Sequence, residues 1–314
     1  MAVATDTSAP IDLTGDRRRL RRERRVRWVF FAAAAISVFI TIAIILSLAG
    51  QAWAFLSDIA SDPETRLGSL AADGWFPRRG RFQIMALIVH TLMVSAIAMV
   101  FAVPLGLGSA IYLSEYATPR VRRVLKPTLE ILAGIPSVVL GFFALTFITP
   151  NVVKAIFDDA SNSNFLAAGI AVGVLLIPLV ASVSEDAMRA VPTSLREASY
   201  GLGAKRWHTS LRVVVPAALS GIVAAIILAI SRAIGETMIV ALAAGTNGIM
   251  NISPLNGGLT MTGGMAQLAI GSDQVTGSSS AFQSLFFVGI VLFFLTLGLN
   301  VLSNSVVRRF RQRY

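Results

Sequence analysis

The chain has few of the residues on which catalysis and metal binding depend. Its 314 residues contain no cysteine and only two histidines, His90 and His208. The lack of cysteine excludes disulfide bonds, zinc–thiolate sites and thiol chemistry. No glycine-rich loop ends in Gly-Lys-Ser or Gly-Lys-Thr, and no serine lies in a Gly-x-Ser-x-Gly frame. The sequence therefore predicts neither ATP hydrolysis by this chain nor a serine nucleophile at a strand–helix turn.

Charged residues are also scarce. They make up 14% of the chain, against 55% hydrophobic residues, whereas soluble domains carry about 25% charged residues. Mean hydropathy is +0.71. Six apolar runs have roughly the 20 residues that cross the hydrocarbon core of a bilayer. The sequence predicts an all-α polytopic membrane protein with six transmembrane helices, at residues 28–50, 85–113, 127–149, 165–183, 217–244 and 282–302.

The first apolar run is predicted to stay in the protein. It has 23 residues, whereas the apolar region of a secretory signal has about 7–15. We therefore interpret it as the first membrane span. The polar residues 1–16 before it are predicted to be disordered.

The basic residues are distributed unevenly between the two sides of the predicted spans. With the N-terminus inside, 21 of the 27 lysines and arginines lie on the inner side and 5 on the outer side, and Arg232 lies within a span. Short loops rich in lysine and arginine stay in the cytoplasm, so both termini are predicted to be cytoplasmic. The net charge of +10 is explained in this way, and nucleic-acid binding is the poorer interpretation. The segment FPRRGR at 76–81 alone has the opposite bias.

The pattern predicts four regions along the chain. They are a basic cytoplasmic tail at 1–27, the first span with its external loop at 28–84, a five-helix core at 85–307 and a basic tail at 308–314. Two external loops, 51–84 and 245–281, are long, and the second has no lysine or arginine. Each is either a flexible linker or a surface for an external partner or gate, and the sequence leaves both possibilities open.

The loop at 191–216 is the most informative cytoplasmic segment. Ser194 and Glu197 are spaced as a capping box, in which a hydroxyl and a carboxylate satisfy free backbone N–H groups at the start of a helix. Gly201 or Gly203 can supply the left-handed residue that ends it. Such a short helix is marginal in water on its own. It is therefore predicted to pack against its own bundle or against another protein.

This loop resembles the EAA loop of bacterial ABC importer permeases. The matching residues are Glu197-Ala198-Ser199, Gly203 and the Val-Val-Val-Pro run that ends at Pro216. Ser199 stands where the family has alanine, and Val215 stands where it has leucine. The resemblance implies that Glu197, Ala198, Gly203 and Pro216 belong to a coupling helix that sits in a groove of an ATPase subunit, which would hold residues 196–207.

Three further segments resemble the membrane subunits of the phosphate-specific ABC importer. They are AIYLSEYA at 110–117, LAGIPSVVLGFFAL at 132–145 and SRAIGETMIVALAAG at 231–245. TMTGGMAQLAIGSDQVTG at 260–277 is more similar to the PstC type of subunit than to its paralogue PstA. The resemblance implies a type I importer permease fold in the bacterial inner membrane.

The same resemblance implies a set of partners. They are a second homologous permease subunit, two cytoplasmic ATPase subunits and an external phosphate-binding protein, all around a chain embedded in membrane lipid. ATP and magnesium would be bound by the ATPase subunits, so this chain is expected to bind no cofactor, no metal and no nucleic acid.

The segment ISRAIGET at 230–237 places two charges inside a predicted span. Ionisable residues at membrane depth face a cavity or a partner. Arg232 and Glu236 are four residues apart, so they share one face of a continuous helix and can pair. They form either a structural ion pair or, with Thr237, an oxyanion pathway in which Arg232 binds phosphate oxygens through its planar fork of donors. The two interpretations are compatible.

A second interruption lies in the third predicted span. Gly134, Pro136 and Ser137 would break a helix, and small residues allow a neighbouring helix to approach. They either line the pathway or make a tight helix crossing. Glu130 is predicted to lie at the cytoplasmic interface with a structural role, and Glu115 is predicted to lie at the same interface, near the basic residues at 120–123.

Other functions stay open at this point. Sulfate and molybdate permeases share the coupling loop, and the PstA-type subunit of the phosphate system is the second choice after the PstC type. An intramembrane hydrolase would need a base at membrane depth, where only His90 lies, and a packing role is the better interpretation of that residue. A stand-alone channel or secondary carrier would have no use for the loop around Glu197.

Overall fold

The computed structural model of the protein describes residues 17–61, 74–271 and 280–310. The chain divides into two units, Met1–Gly50 and Gln51–Tyr314. The predicted coil at 1–16, residues 62–73 and 272–279 of the two external loops, and residues 311–314 of the C-terminal tail lie outside the described residues.

The described residues are almost entirely helical, with one small hairpin. Three helices contain a wider π-helical stretch, which lies at Tyr112–Tyr116, Ala144–Val153 and Ser210–Val214. In chain order the elements are α1 Arg17–Ser61, β1 Trp75–Phe76, β2 Arg81–Phe82, α2 Ile84–Tyr116, α3 Pro119–Ala133, α4 Ser137–Ile156, α5 Phe165–Arg189, α6 Thr193–Gly201, α7 Arg206–Ala217, α8 Leu219–Ile234, α9 Met238–Ala243, α10 Met261–Ile270 and α11 Ser280–Phe310.

Five of these helices are long and apolar enough to cross a membrane, namely α1, α2, α4, α5 and α11. The pair α7 and α8 passes the same test together but is bent by 72°. Counting that pair as one span gives six. The predicted all-α polytopic fold is therefore confirmed among the described residues.

Two predicted spans had the wrong bounds. The third was predicted at 127–149, but α3 ends at Ala133 and the apolar helix α4 begins only at Ser137. Helix α3 carries four basic residues and buries none of its side chains in this chain, so it is amphipathic rather than spanning. The fifth was predicted at 217–244, but α8 ends at Ile234 and α9 begins at Met238. Hydropathy averaged over a window cannot detect either break.

Helices α2 and α5 form the centre of the second unit because small residues let their backbones approach. A Cβ atom added at Gly169 of α5 would lie 2.5 Å from Ile97 Cγ2, and one added at Gly173 would lie 2.9 Å from the carbonyl oxygen of Ala98. Such close contact gives extensive van der Waals packing, which is what holds helices together in lipid. Around this contact the buried residues of α2, α4, α5 and α9 form one apolar cluster.

The two ends of this unit are closed differently. At one end, called the hairpin end, Trp75 and Phe82 of the two strands are buried against Phe55. The backbone N–H of Trp75 donates to Gly248 O, which ties the hairpin to the second external loop. At the other end, called the α6 end, Met188, Val191, Val214 and their neighbours form a smaller apolar cluster under α6 and α7.

Part of the second external loop is a packed helix. Helix α10 lies within the segment 259–271, and its Met261 and Gly264 are buried. The backbone N–H of Met261 donates to Thr91 Oγ1 of α2 at 2.9 Å. This part of the loop is therefore held by the core and is not a free linker.

Candidate functional site

The predicted pathway segment ISRAIGET is a break between two helices. Helix α8 ends at Ile234, Gly235 is its C-cap residue, and α9 starts at Met238. The hydroxyl of Thr237 donates to Gly235 O at 3.3 Å. Thr262 of α10 donates from Oγ1 to Glu236 O at 2.6 Å. The break is therefore held by a hydroxyl within it and by a hydroxyl of α10.

Glu236 holds the start of α9. Its Oε1 accepts from the backbone N–H of Met238 at 3.1 Å and from that of Ile239 at 3.3 Å. The predicted ion pair with Arg232 is wrong: among the described side chains, no contact of 4.0 Å or less joins these two residues. The prediction assumed an unbroken helix, whereas the break at Gly235 moves Glu236 off the face that Arg232 occupies.

Arg232 lies on the exposed side of the last turn of α8. No carboxylate, carbonyl or hydroxyl of the described residues accepts from its guanidinium. Its neighbour Ser231 instead donates to Asn300 Oδ1 of α11 at 3.0 Å. An arginine at membrane depth is costly unless it meets a counter-charge or water.

The predicted break at 134–137 is present and lies on the same side of the core as the first break. Pro136 is the N-cap residue of α4, and Gly134 closes α3 by donating to Ile131 O at 2.9 Å. A Cβ atom added at Gly141 of α4 would lie 3.2 Å from Ile239 Cα. Helix α4, which begins at Ser137, therefore packs near its start against the start of α9, which follows Thr237.

Helix α6 and the turn after it carry the predicted coupling residues on an exposed surface. Glu197 and Ala198 are exposed. Gly203 has φ +79°, which is the left-handed conformation that glycine adopts most easily. Large apolar side chains surround them on this surface: Leu202 is 90% exposed. Pro216 lies on α7 just before the 72° bend. We call this patch the α6 surface; its apolar members are Tyr200, Leu202 and Trp207.

The predicted capping box is wrong in its first residue. Helix α6 starts at Thr193 with Pro192 as the N-cap residue, and no side chain caps it. Ser194 therefore lies inside the first turn. The fixed φ of proline suits a helix start without a side-chain acceptor.

Sequence reasoning missed the role of Arg196. Its side chain points into this chain and not onto the α6 surface. It contacts Glu115 at the end of α2, with 2.9 Å from Nη2 to Oε1 and 3.4 Å from Nε to Oε2. It also donates at 2.8 Å to the carbonyl oxygens of Met188 and Val191. Among the described contacts, Glu115 therefore pairs with Arg196 of α6, and not with the basic residues at 120–123 beside which the sequence placed it.

A second buried carboxylate, Glu185 of α5, was also missed. Its side chain is fully buried, 2.9 Å from Arg122 Nε and 3.5 Å from Lys126 Nζ of α3. A hydrogen bond to Asp186 and the charge of Glu185 raise the pKa of Lys126 above its ordinary value. These contacts hold α3 against the end of α5. A Glu-Asp pair ending an apolar run near a basic loop is the only sequence signal for them.

His90 has a packing role. Its Nδ1 lies 2.9 Å from Leu259 O, and its Nε2 accepts from the backbone N–H of Asn251 at 3.1 Å. The ring is buried and stacks at an angle on Phe165. Both ring nitrogens are occupied by backbone groups, so the intramembrane-hydrolase alternative has no available base at this position.

Comparison with solved structures places the fold among ABC transporters. A chain of a bacterial ABC transporter that imports the acidic polysaccharide alginate matches with a TM-score of 0.62 at 14% identity, covering 94% of this chain and all of that one. A chain of the MetNI methionine ABC transporter matches with a TM-score of 0.53 at 20% identity, covering 73% of this chain and 94% of that one. At these identities the likeness concerns the fold alone.

Curated relatives match at higher identity. The phosphate transport system permease protein PstC of Mesorhizobium japonicum is 30% identical over 300 residues, which cover 90% of this chain and 89% of the relative. PstC 1 of Mycobacterium tuberculosis is 35% identical over 245 residues, 72% of each chain. A probable ABC transporter permease protein of Bacillus subtilis, YqgH, is 33% identical over 76% of this chain and 77% of that protein.

The family model extends over most of the helical core. The inner membrane component of binding-protein-dependent transport systems matches residues 102–314, which include both helix breaks and the α6 surface. The similarity to PstC proteins and the multi-pass helical fold agree with it. The chain therefore belongs to the family of binding-protein-dependent transport system inner membrane components, and within it is a PstC-like ABC importer permease.

Proposed function

We propose that this chain is the PstC-type permease subunit of an ATP-driven importer that carries inorganic phosphate across the inner membrane. The observation that carries the proposal is the similarity to phosphate permeases of the PstC type along 90% of the chain. PstA 1 of Mycobacterium tuberculosis is 38% identical, but over only 54% of this chain. The longer match favours the PstC type over the PstA type. Sulfate and molybdate are the competing substrates.

In this proposal the α6 end faces the cytoplasm and both termini are cytoplasmic. The basic residues of α3 and α6 support this orientation. The α6 surface then binds one of two separate ATPase subunits, and Glu197, Ala198, Gly203 and Pro216 shape it. Its exposed tyrosine, leucine and tryptophan suit the centre of a protein interface, where aromatic anchors contribute most of the binding energy. ATP and magnesium belong to the ATPase subunits, and this chain supplies no cofactor site.

The hairpin end then faces outward, towards a phosphate-binding protein. A second homologous permease subunit packs against the exposed faces of this one in the lipid bilayer. Arg232 lies on such a face and has no partner among the described residues, so in this proposal its guanidinium faces the space between the two subunits. Phosphate passing there satisfies the guanidinium two oxygens at a time.

In this proposal Glu236 caps a helix and is not the ion-pair partner of Arg232. Its carboxylate accepts from the backbone N–H groups at the start of α9 and so holds the break next to Arg232. Because that carboxylate does not pair with Arg232, the guanidinium is available to the anion. Thr237 adds a hydroxyl at the bend. Ser137, with Gly134 and Pro136 before it, lines the neighbouring break, so both breaks border the proposed path.

The test is uptake of radiolabelled phosphate by cells that lack their own high-affinity system. The chain is supplied with its binding protein, the second permease and the ATPase, and Arg232→Ala is compared with wild type at equal assembly. We expect wild-type uptake that sulfate and molybdate do not inhibit, and loss of uptake in Arg232→Ala. Arg123→Ala is the matched control, since Arg123 is an exposed arginine of α3 away from the break, and no described contact involves its guanidinium.

Two results would contradict the proposal in different ways. Full uptake by Arg232→Ala would remove Arg232 from the pathway and leave the permease assignment standing. Absence of phosphate uptake by wild type, with sulfate or molybdate taken up instead, would overturn the substrate.

A further inference from the structure

We propose that Arg196 and Glu115 form a mechanical link through which a movement of α6 is passed to the transmembrane helix α2. Both are positioning residues in this proposal, because neither reaches the α8–α9 break. The inference rests on the proposed function, since it needs an ATPase that pulls on α6 during its cycle.

The link joins two distant parts of the chain in a fixed geometry. Arg196 and Glu115 are 81 positions apart, and two nitrogens of the guanidinium meet the two oxygens of the carboxylate. The Glu115 side chain is 3% exposed and that of Arg196 is 17% exposed. A planar fork on a carboxylate fixes orientation as well as distance. A rotation of α6 is therefore transmitted along with a translation.

Arg196 also grips the end of α5. Its Nη1 donates to Val191 O and its Nη2 to Met188 O, both at 2.8 Å. These carbonyls belong to the last turn of α5 and the connection to α6, where carbonyl groups lack helical partners. One guanidinium thus connects α6 with the ends of both α2 and α5.

Helix α6 has few other attachments to the bundle. None of its side chains is fully buried. Leu195 packs partly into the apolar cluster beneath it, and Ser199 Oγ lies 2.8 Å from Thr209 Oγ1 of α7. A helix of nine residues is marginal without support. Among the described hydrogen bonds of α6, those of Arg196 are the ones that reach α2.

The receiving end, Glu115, is held firmly in α2. It lies on the π-helical turn Tyr112–Tyr116, where Ser114 Oγ donates to its Oε1 at 2.9 Å. Arg122 of α3 donates to Leu113 O in the same turn at 2.6 Å. Turns of this kind occur mostly at functional positions in helices. A force on the carboxylate reaches the α2 backbone with little room for the side chain to yield.

Helix α2 in turn moves the core. Its contact with α5 is the close glycine-mediated packing described above, and close-packed interiors transmit displacement instead of absorbing it. The route from the α6 surface to the membrane core is therefore α6, Arg196, Glu115 and α2. A purely stabilising role would not require this geometry, because apolar residues of similar volume hold helices together as well as a buried ion pair does.

The test uses the complete transporter in proteoliposomes, with binding protein, second permease and ATPase. Phosphate imported per ATP hydrolysed is measured for Arg196→Met, Arg196→Lys and Glu115→Gln, relative to the amount of assembled complex. We expect Arg196→Met to hydrolyse ATP while this ratio falls roughly tenfold, in the usual range of coupling between two sites. Lysine restores part of it, since it keeps the charge but not the fork. Arg123→Met is the matched control, since Arg123 is exposed on α3 without a described contact, and it keeps the wild-type ratio.

A second measurement does not depend on the substrate. Because the chain has no cysteine, a nitroxide placed on Leu105→Cys of α2, with partner chains free of reactive cysteine, reports movement of that helix alone. We expect its spectrum to change when ATP is added to the wild-type complex and to stay constant in Arg196→Met. If Arg196→Met fails to assemble, Arg196→Lys carries both measurements.

The outcomes separate this inference from the proposed function. A wild-type ratio and a wild-type label response in Arg196→Met would overturn the link. So would an equal fall in the Arg123→Met control, or a fall in uptake and ATP hydrolysis together in proportion to lost assembly. A wild-type complex that imports no phosphate but shows the label response only with Arg196 intact would overturn the substrate and support the link.

Discussion

Two arginines of this chain, Arg196 and Arg232, differ in every respect that bears on function. Arg196 contacts a buried carboxylate and two carbonyl oxygens at the α6 end. Arg232 is exposed at the α8–α9 break, and no described residue accepts from it. A satisfied guanidinium connects elements of its own chain, whereas one without a described partner is available to another molecule, as the proposed function requires of Arg232. The completeness of the contacts, and not the residue type, distinguishes the two roles.

Like Arg196, the basic residues Arg122 and Lys126 contact a buried carboxylate, that of Glu185. Replacing Glu185 is the strongest test of such contacts within this chain. Replacing it by glutamine leaves Arg122 without its carboxylate and Lys126 with only Asp186. Removing one partner of a buried ion pair costs about 3–5 kcal/mol. We expect a large fall in assembled transporter and in the thermal unfolding temperature of the purified chain. Glu130→Gln is the control, since Glu130 is exposed and no described contact involves its carboxylate. Equal stability of the two variants would mean that burial of Glu185 does not matter.

The arginine without a described hydrogen-bond acceptor, Arg232, is tested by its replacement with alanine. We expect Arg232→Ala to reduce phosphate uptake by about 10- to 100-fold, which is what loss of a hydrogen bond to a charged group amounts to. The unfolding temperature of the purified chain should not change, because the guanidinium has no partner within its described part. This variant and Glu185→Gln therefore have opposite patterns. A destabilised Arg232→Ala would show that the arginine supports its own chain and would remove the contrast.

Variants of Glu236 distinguish its role as a cap of α9 from the predicted ion pair with Arg232. Glu236→Gln retains an oxygen that can accept from the backbone N–H groups of Met238 and Ile239, but it carries no charge. If the cap is what matters, Glu236→Gln keeps uptake and stability, and Glu236→Ala loses about 1 kcal/mol of stability, as helix caps do. Uptake assays and thermal unfolding of both variants measure this. Equal loss in Glu236→Gln and Glu236→Ala would restore the ion pair that the sequence suggested.

The smallest expected effect is the pH dependence of Lys126. Its pKa is raised above the ordinary value of 10.5, first by the hydrogen bond to Asp186. A raised pKa means that the charged form is favoured in the folded chain, so the contribution of Lys126 is complete below 10.5 and is lost as the pH rises through the folded value. The difference in unfolding temperature between wild type and Lys126→Met should stay constant at neutral pH and shrink only in strong alkali. A difference that shrinks near neutral pH would contradict this assignment.

The sequence was sufficient for the membrane class and for the positions of most spans. Apolar runs as long as α2 and α5 have no other stable environment, so hydropathy alone locates them. The α6 segment was found from its position and its resemblance to a known loop. Gly134 and Pro136 were identified as a helix break because these residue types rarely continue a helix.

The remaining features depend on contacts that spacing cannot predict. The pairing of Arg232 with Glu236 follows from helical periodicity only if the helix continues, and Gly235 ends it. Arg196 and Glu115 meet across 81 positions, a distance at which no local pattern applies. Glu185 looks like an ordinary acid at the end of a span until α3 is placed over it.

The π-helical turn at Tyr112–Tyr116 gives the length of α2 an unusual significance. An ordinary helix turns about 100° per residue, and the wider turn holds one residue more than an α-helical turn does. Deleting Ser114 would shorten the chain by one residue while leaving its composition and hydropathy almost unchanged. Without that residue the turn would close as an ordinary α-helical turn, and the helix on either side of it would keep its angular phase. In homologous chains, a gain or loss of a single residue here would therefore be absorbed by the turn, and a one-residue gap in an alignment of this segment would not mean that α2 is interrupted.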